Sequence, residues 1–326
     1  VESALRGADG LEVVRIGDNV VARTTGTRPH RVVVAGHLDT VPGDQGVAVD
    51  GGTVTGLGAC DMKGSIAVMV AIATSGRAHG SELTWIFYAR EEIARVHSGL
   101  LELAAAAPEL LDGDVALVCE PTSTLVEAGC QGIVRLRVEL RGERAHTARP
   151  WRGRNAIHRL AGPLAAVAGY APRAVELDGV TYTEQLQAVD VAGGVSGNVV
   201  PDVATLTVSQ RVAPDRSAED AVAELRRTFE PFLEDGDAIE VLDAVDPAAP
   251  HLDDPVLARL VELSGAPPRA KLGFTDVATF ASRGVPAANF GAGNPELAHH
   301  RGEFVHGDDL QRCHDVLSAL LAEGTG

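Results

Sequence analysis

The sequence has few cysteines, and none is arranged in a CxxC pair or with the spacing of a zinc finger. Only four are present in 326 residues, and they lie far apart along the chain. In a chain of this size, scattered cysteines indicate reduced thiols rather than a disulfide framework. We therefore expect a cytoplasmic protein with four free thiols, at Cys60, Cys119, Cys130 and Cys313.

Positive charge and long apolar runs are also scarce. The chain has 28 Lys and Arg against 45 Asp and Glu, a formal net charge of −17. Because phosphate binding needs clustered Lys and Arg, this balance argues against a nucleic-acid partner. No apolar run is long enough to span a bilayer, and no signal peptide is found, so we expect no membrane association. Residues 1–6 resemble the end of an amphipathic helix, so we expect the natural N-terminus to lie upstream.

The length, about twice that of a typical domain, predicts two domains. In residues 1–131 and 247–326, strands alternate with helices, which is typical of an α/β fold with a mostly parallel sheet flanked by helices. Residues 132–246 begin with a strand in which apolar and charged side chains alternate, and they indicate an inserted α+β domain. Strands are predicted at 11–16, 31–35, 83–89, 115–119, 132–142, 186–192, 204–212 and 285–290, and helices at 63–75, 99–107, 155–169, 218–229 and 255–265.

Candidate metal ligands follow the predicted strands. His37 and Asp39 come directly after an apolar run, and on an extended chain they point to the same face, so Asp39 can orient the imidazole. Because the carboxyl ends of parallel strands meet at one edge, we expect the polar residues there to converge. The candidates are His37, Asp61, Glu91, Glu92 and Glu120, with His299 and His300 near the C-terminus.

Carboxylates and imidazoles are ligands for zinc and similar divalent metals, and two adjacent metals need a bridging carboxylate. Asp61 suits that role because the glycine-rich turn around it allows close backbone approach. Of the adjacent pair Glu91 and Glu92, one carboxylate can bind metal while the other acts as the base of a metal-assisted hydrolysis. Cys60 and Cys119 each precede a candidate ligand, and we expect them to be packing residues, although a soft-ligand role stays open.

The chain resembles the zinc-dependent aminoacylase and carboxypeptidase superfamily, and within it most closely the actinobacterial succinyl-diaminopimelate desuccinylases. The resemblance covers nearly the whole chain. The segments that carry it are Gly36-His37-Leu38-Asp39-Thr40-Val41-Pro42, Asp61-Met62-Lys63, Glu91-Glu92, Glu120-Pro121-Thr122, Ala145-His146-Thr147-Ala148-Arg149-Pro150-Trp151, Asn155-Ala156-Ile157-His158 and the segment from Gly193 to Pro201.

The resemblance implies a role for each ligand. One Zn²⁺ is held by His37 and Glu120, the other by Glu92 and His299, with Asp61 as the bridge, and Co²⁺ or Mn²⁺ could replace zinc. Glu91 carries the proton from water to the leaving amine, and Asp39 orients His37. His299, four residues before Glu303, matches the family's His-x-x-x-Glu motif, so His300 is expected to be a neighbour. A cis peptide bond is expected between Asp61 and Met62.

By the same resemblance, the inserted domain serves as a dimerisation and lid domain. His146 then reaches the partner subunit's active site and stabilises the oxyanion. This implies a homodimer paired through an edge strand.

The resemblance also implies substrate contacts at Asn198, Arg211, Gly273 and Thr275. Thr279 stands where the relatives commonly carry Arg, and this departure leaves the substrate open; Arg301 could replace the missing guanidinium. The predicted activity is removal of an N-acyl group, most simply the succinyl group of N-succinyl-diaminopimelate. The alternatives are a deacylase of another N-acyl amino acid, such as acetylornithine or acetylcitrulline, an aminoacylase, an aminopeptidase, or a metal-free binding protein on the same fold.

Overall fold

The computed structural model of the chain describes residues 1–323. The strands are β1 (Leu11–Ile16), β2 (Asn19–Thr24), β3 (Arg31–His37), β4 (Ala48–Asp50), β5 (Thr53–Thr55), β6 (Glu82–Tyr88), β7 (Val115–Val118), β8 (Glu127–Ala128), β9 (Gly132–Arg141), β10 (Ala174–Leu177), β11 (Val180–Thr183), β12 (Leu186–Gly193), β13 (Val203–Val212), β14 (Ala238–Val245), β15 (Arg269–Ala270), β16 (Ala287–Asn289) and β17 (Phe304–His306). The helices are α1 (Glu2–Arg6), α2 (Gly64–Ala73), α3 (Gly99–Ala106), α4 (Ala156–Arg159), α5 (Ala161–Ala168), α6 (Ala218–Phe229), α7 (Pro255–Ser264), α8 (Val277–Ala281) and α9 (Gly307–Glu323).

The chain folds into two compact units. Of the described residues, the first contains 1–129, 249–271 and 275–323, and the second contains 130–248 and 272–274. These boundaries lie within two residues of the divisions expected at 131/132 and 246/247. The second unit extends beyond the expected divisions at both ends, because Cys130 and Ala248 exchange two backbone hydrogen bonds within it, at 3.1 and 3.0 Å.

The first unit is built on an eight-stranded sheet in the order β1-β2-β6-β3-β7-β16-β8-β15. The central pairs, from β6 to β16, are parallel, as predicted, and the flanking β1, β2 and β8 add antiparallel pairs. The register aligns His37 with Tyr88 and Ala35 with Val118, so β3, β6 and β7 end at one edge. Polar residues that follow these strands therefore come together at that edge.

Close packing supports this edge from within the core. The backbone at Gly36 lies against α2 and the residues just before it. A Cβ atom at Gly36 would come within 2.5 Å of the Met62 side chain and 3.0 Å of the Ile66 side chain. Only glycine allows that approach without a shift in the core. Helix α9, which the sequence analysis did not predict, packs on α2 and α7 through buried leucines such as Leu317.

The second unit is an antiparallel sheet, β12-β13-β9-β14, with helices packed on one face. Buried residues alternate with exposed or half-buried ones along most of β9 and all of β13, as expected for a sheet covered on one side. Strand β12 lies at one edge, and seven of its eight residues are exposed. The single helix predicted over 155–169 is wrong: the structure has α4 and α5, with Leu160 between them. Pro163 lacks an N–H, so it fits the first turn of a new helix better than the interior of a long one.

In the range 1–323, no helix has both the length and the hydropathy that crossing a bilayer would require.

Candidate metal centre

His37 is the last residue of β3, and its side chain is almost completely buried. Its Nε2 lies 3.0 Å from Oδ1 of Asp61, and its Nδ1 lies 3.0 Å from the backbone carbonyl oxygen of Asp39. The Nδ1 contact is to a carbonyl, which can only accept, so Nδ1 carries a hydrogen and Nε2 is left as the ligand atom.

The expectation that the Asp39 carboxylate orients His37 needs revision. That carboxylate lies 3.8 Å from Nδ1, beyond hydrogen-bond distance. Instead, its two oxygens accept hydrogen bonds from the backbone N–H groups of Glu91 and Glu92, each at 3.1 Å. The backbone of Asp39 therefore holds His37, while its side chain holds the two glutamates.

Asp61 lies in an irregular helical turn, Ala59–Lys63, and its peptide bond to Met62 is cis, which confirms that expectation. The turn is anchored by Glu303, which is buried and accepts hydrogen bonds from the backbone N–H groups of Gly58, Cys60 and Asp61, each at 2.8 Å. In the sequence analysis Glu303 served only as a spacing marker. Because the partners of this buried carboxylate are backbone N–H groups, no particular type of side chain in the sequence reveals the contact.

His299 and His300 lie side by side with different surroundings. The Nε2 of His299 lies 3.0 Å from Oε1 of Glu92 and 3.5 Å from Oδ2 of Asp61. The Nδ1 of His300 lies 2.7 Å from the backbone oxygen of Arg301, and its side chain is exposed. Of the two, His299 is the one placed among the candidate ligands.

The donor set of these residues suits a pair of divalent cations. Asp61 directs one carboxylate oxygen at His37 and the other at His299, the arrangement that a bridging ligand requires. One ligand atom from each of His37, Asp61 and Glu92 lies within 4.8 Å of the others. Within residues 1–323, the buried Oε1 of Glu120 has no hydrogen-bond partner, and such an atom is costly unless a cation or water satisfies it. These residues could therefore hold two cations with Asp61 between them.

Without metal, the crowding of acids changes their proton affinity. Burial, together with the negative charge of Glu120, raises the pKa of Glu91 to about 9. Burial and the charge of Asp61 raise the pKa of Glu120 to about 7. Although burial opposes it, the contact with Asp61 raises the pKa of His37 to about 10. Crowding thus favours the protonated forms of these acids, and positive ions bound there would favour the charged carboxylates instead.

The four cysteines are free and buried, as expected. Cys60 donates from Sγ to the backbone oxygen of Asn294 at 3.0 Å, and Cys119 packs in the hydrophobic core of the first unit. Neither belongs to the ligand cluster found in residues 1–323.

The remaining predicted residues are divided between the two units. In the second unit, His146 and Val199 form a β-bridge, and the N–H of Thr147 donates to the backbone oxygen of Asn198 at 3.1 Å. Arg211 is half-buried on β13, and Gly273 lies in the segment 272–274. Thr275 is buried in the first unit, and Arg301 is exposed.

Comparison with known proteins agrees with this architecture. The sequence profile described as peptidase family M20/M25/M40 matches residues 33–323. A Mycobacterium tuberculosis protein provisionally named succinyl-diaminopimelate desuccinylase DapE is 44% identical over 324 residues, covering 98% of this chain and 91% of its own length. A succinyl-diaminopimelate desuccinylase of Corynebacterium glutamicum is 40% identical over 332 residues, covering 99% and 90%.

Solved structures show the same fold at low identity. The aminopeptidase PepT of Bacillus cereus aligns with a TM-score of 0.79 at 18% identity, covering 98% of this chain and 90% of its own. A metallo-carboxypeptidase of the M20 family from Sulfolobus solfataricus aligns with a TM-score of 0.74 at 13% identity, covering 98% and 92%. Acids and histidines gather at the edge where the parallel strands end, and the match to these relatives extends over nearly the whole chain. This chain therefore belongs to peptidase family M20/M25/M40 and is a hydrolase that acts on amide bonds.

Proposed function

We propose that this protein is a dizinc amidohydrolase that removes the succinyl group from N-succinyl-diaminopimelate. The observation that carries the proposal is the position of Asp61 between His37 and His299, beside the adjacent pair Glu91 and Glu92. The 40–44% identity to proteins named succinyl-diaminopimelate desuccinylase supports this choice of substrate.

In this proposal His37 and Glu120 would hold one zinc ion, Glu92 and His299 would hold the other, and Asp61 would be a ligand of both. The cations would supply Lewis acidity, which polarises the scissile carbonyl and increases the acidity of water. Glu303 and Asp39 keep the backbone of Asp61 and of the two glutamates in place through their hydrogen bonds.

Glu91 acts as the proton carrier. Its neighbour Glu92 contacts His299, whereas Glu91 is half-buried and interacts electrostatically with Glu120 and His37. Glu91 accepts a proton from the attacking water and then donates it to the amine as the amide bond breaks. The proton thus moves from nucleophile to leaving group, and the products are succinate and a free amine.

His146 is the proposed oxyanion donor, supplied by the partner subunit in a homodimer. Its Nδ1 accepts a hydrogen bond from the N–H of Ala148 at 3.0 Å, so the neutral ring carries its hydrogen on Nε2. That nitrogen can donate to developing negative charge. The exposed edge strand β12 offers unpaired backbone groups through which two copies could pair.

Arg211 is proposed to bind a substrate carboxylate, together with contacts from Asn198, Gly273 and Thr275. Burial and the positive charge of Arg135 lower the pKa of Arg211, which means that its charged form is disfavoured where it lies. A bound carboxylate would relieve both effects.

A second candidate is deacylation of another N-acyl amino acid. It is favoured by Thr279, whose hydroxyl donates to Asp276 at 2.8 Å at a position where a guanidinium was expected. An acetylornithine deacetylase of Myxococcus xanthus is 28% identical over 324 residues, covering 94% of this chain and 84% of its own length.

The test is a substrate panel with metal-stripped protein and with protein reloaded with Zn²⁺, Co²⁺ or Mn²⁺. N-succinyl-diaminopimelate, N-acetylornithine, N-acetylcitrulline and a free tripeptide separate the candidate activities. We expect metal-dependent release of succinate from the first compound. Glu91→Gln is the matched control: it should lose about 100-fold or more in kcat while binding metal normally. Hydrolysis of the tripeptide alone, or of nothing in the panel, contradicts the proposal.

A further inference from the structure

The loop between β6 and α3, residues 89–98, contains a positively charged side chain, Arg95, that is close in sequence to the candidate base Glu91. Glu91 and Glu92 lie near the start of the loop, and Arg95 starts a short 3₁₀ turn, Arg95–His97. The loop is closed by Arg90, whose Nε donates to the backbone oxygen of His97 at 2.8 Å, and by the N–H of Ser98, which donates to the oxygen of Arg95 at 2.9 Å. These bonds fix the loop, and with it the place from which the Arg95 side chain extends.

The guanidinium of Arg95 lies against the start of α8. Its Nη2 donates to Oγ1 of Thr279 at 3.4 Å, and Thr279 in turn donates to Oδ1 of Asp276 at 2.8 Å. Thr279 and Asp276 are both buried, whereas Arg95 is half-buried. A guanidinium has five N–H donors in a planar fork, so a bond to Thr279 is compatible with a carboxylate on another edge.

Arg95 lies between two segments that carry proposed site residues. Its own loop contains Glu91 and Glu92, whose backbone N–H groups donate to the carboxylate of Asp39 at 3.1 Å. On its other side, Asp276 and Thr279 belong to the turn that follows Thr275, a proposed substrate contact, where the N–H of Ala278 donates to the backbone oxygen of Thr275 at 3.2 Å. All of these residues belong to the first unit.

We propose that Arg95 determines specificity by binding a carboxylate of the substrate that is remote from the scissile amide. The inference rests on the proposed function and deepens it: the preferred substrates are N-acyl amino acids that carry an additional carboxylate. In a site rich in acidic residues, the additional carboxylate of the substrate would be repelled unless a positively charged side chain binds it. A planar guanidinium can bind it with two parallel hydrogen bonds.

The carboxylate could belong to the acyl chain or to the amine half, and the two product halves separate these sources. Binding of succinate and of diaminopimelate to the zinc-loaded protein is measured by calorimetry for the wild type, Arg95→Ala and Arg95→Lys. We expect Arg95→Ala to weaken one of the two by about 10- to 100-fold, and Arg95→Lys to lie between it and the wild type. Loss with succinate assigns the acyl end, and loss with diaminopimelate assigns the amine end.

Arg77→Ala is the charge-matched control, because Arg77 is exposed and precedes the opposite end of β6. It should leave both affinities unchanged. In hydrolysis, Arg95→Ala should raise KM for N-succinyl-diaminopimelate with little change in kcat.

Two results overturn the proposal. One is unchanged binding of both halves by Arg95→Ala. The other is an equal loss for both halves together with a lower melting temperature, which indicates a purely structural role. Because these measurements do not require turnover, failure of the wild type to hydrolyse any substrate would instead count against the proposed function.

Discussion

The side chain of Asp39 accepts a hydrogen bond from the backbone N–H of Glu91 at 3.1 Å. A second bond, from the N–H of Glu92 to the other oxygen, has the same length. The charged carboxylate therefore sets the direction in which the proposed base and the proposed ligand leave the backbone. This differs from the usual arrangement in which an acid orients a metal-binding imidazole.

Asp39→Asn tests this role. The amide keeps one oxygen that accepts a hydrogen bond, but it replaces the other oxygen with an NH₂ group, a donor that faces a backbone N–H. One bond is lost and one contact becomes repulsive, at a cost of about 1–3 kcal/mol. We expect kcat to fall by about 10- to 100-fold and zinc affinity to weaken. Metal content after dialysis and steady-state kinetics are the measurements. Asp9→Asn, at an exposed position, is the control, and equal behaviour of the two variants would contradict the role of Asp39.

Glu303→Gln tests the anchor of the bridging residue. Three backbone N–H groups share the two oxygens of Glu303, so an amide leaves at least one of them unsatisfied in a buried position. We expect a loss of about 2–4 kcal/mol in the free energy of unfolding and a lower zinc content, measured by urea unfolding and elemental analysis. The exposed Glu109→Gln should behave as the wild type. Full zinc occupancy in Glu303→Gln would show that the turn does not need this anchor.

A mixture of two inactive variants tests whether His146 acts across a dimer. Glu91→Gln and His146→Ala should each have low turnover with normal zinc content. If His146 serves the partner's site, a mixed dimer contains one complete site. Random mixing in equal amounts then restores about a quarter of wild-type activity. Co-expression with two different affinity tags allows the mixed species to be isolated.

The control is the mixture of each inactive variant with itself, which should stay inactive. If His146 acts within its own subunit, the mixed dimer gains nothing. Near-normal turnover of His146→Ala alone removes His146 from the mechanism.

Glu82 provides a prediction about pH, away from the metal ligands. Its buried carboxylate accepts hydrogen bonds from Thr24 Oγ1 at 2.6 Å and from the backbone of Gly26 and Arg28. Although burial raises its pKa, these bonds lower it to about 2 in the folded protein, from 4.5. The stabilisation is therefore present above pH 4.5 and is lost as the pH falls towards 2.

We expect the stability difference between the wild type and Glu82→Gln to shrink by about 2 kcal/mol from pH 5 to pH 3. Urea unfolding at both pH values measures it, with Glu109→Gln as the exposed control. A difference that does not change with pH would mean that Glu82 titrates normally in the folded state.

Much of the fold and of the candidate site follows from local patterns. The apolar runs before His37 and Glu120 are buried strands, and parallel strands end at a common edge, so their convergence could be predicted. Helix α6 was predicted with its observed bounds, and in the structure Ser217 and Asp220 form a capping box at its start. The strands β4, β5 and β17 were missed because three-residue strands carry too little periodicity to recognise. Helix α9 and the longer strands β2 and β14 were also missed.

Other features depended on contacts between distant segments. The sequence placed Asp39 beside His37, but the pairing of its carboxylate with Glu91 and Glu92 requires β3 and β6 to lie side by side. Glu303 meets Gly58 across 245 positions of the chain, and Arg95 meets Thr279 across 184. No local pattern encodes such pairs, since backbone N–H groups are the same for every residue type except proline.

The amino-acid sequence by itself determined the alternating α/β architecture and the types of side chain at the ends of the parallel strands. It did so because hydrophobic periodicity and strand direction are local properties. Only the tertiary structure decided which oxygen of Asp61 faces which imidazole, what holds the backbone of the glutamates, and where a guanidinium lies. Those outcomes depend on the register between strands and on turns anchored by remote residues, and the packing of the whole first unit sets both.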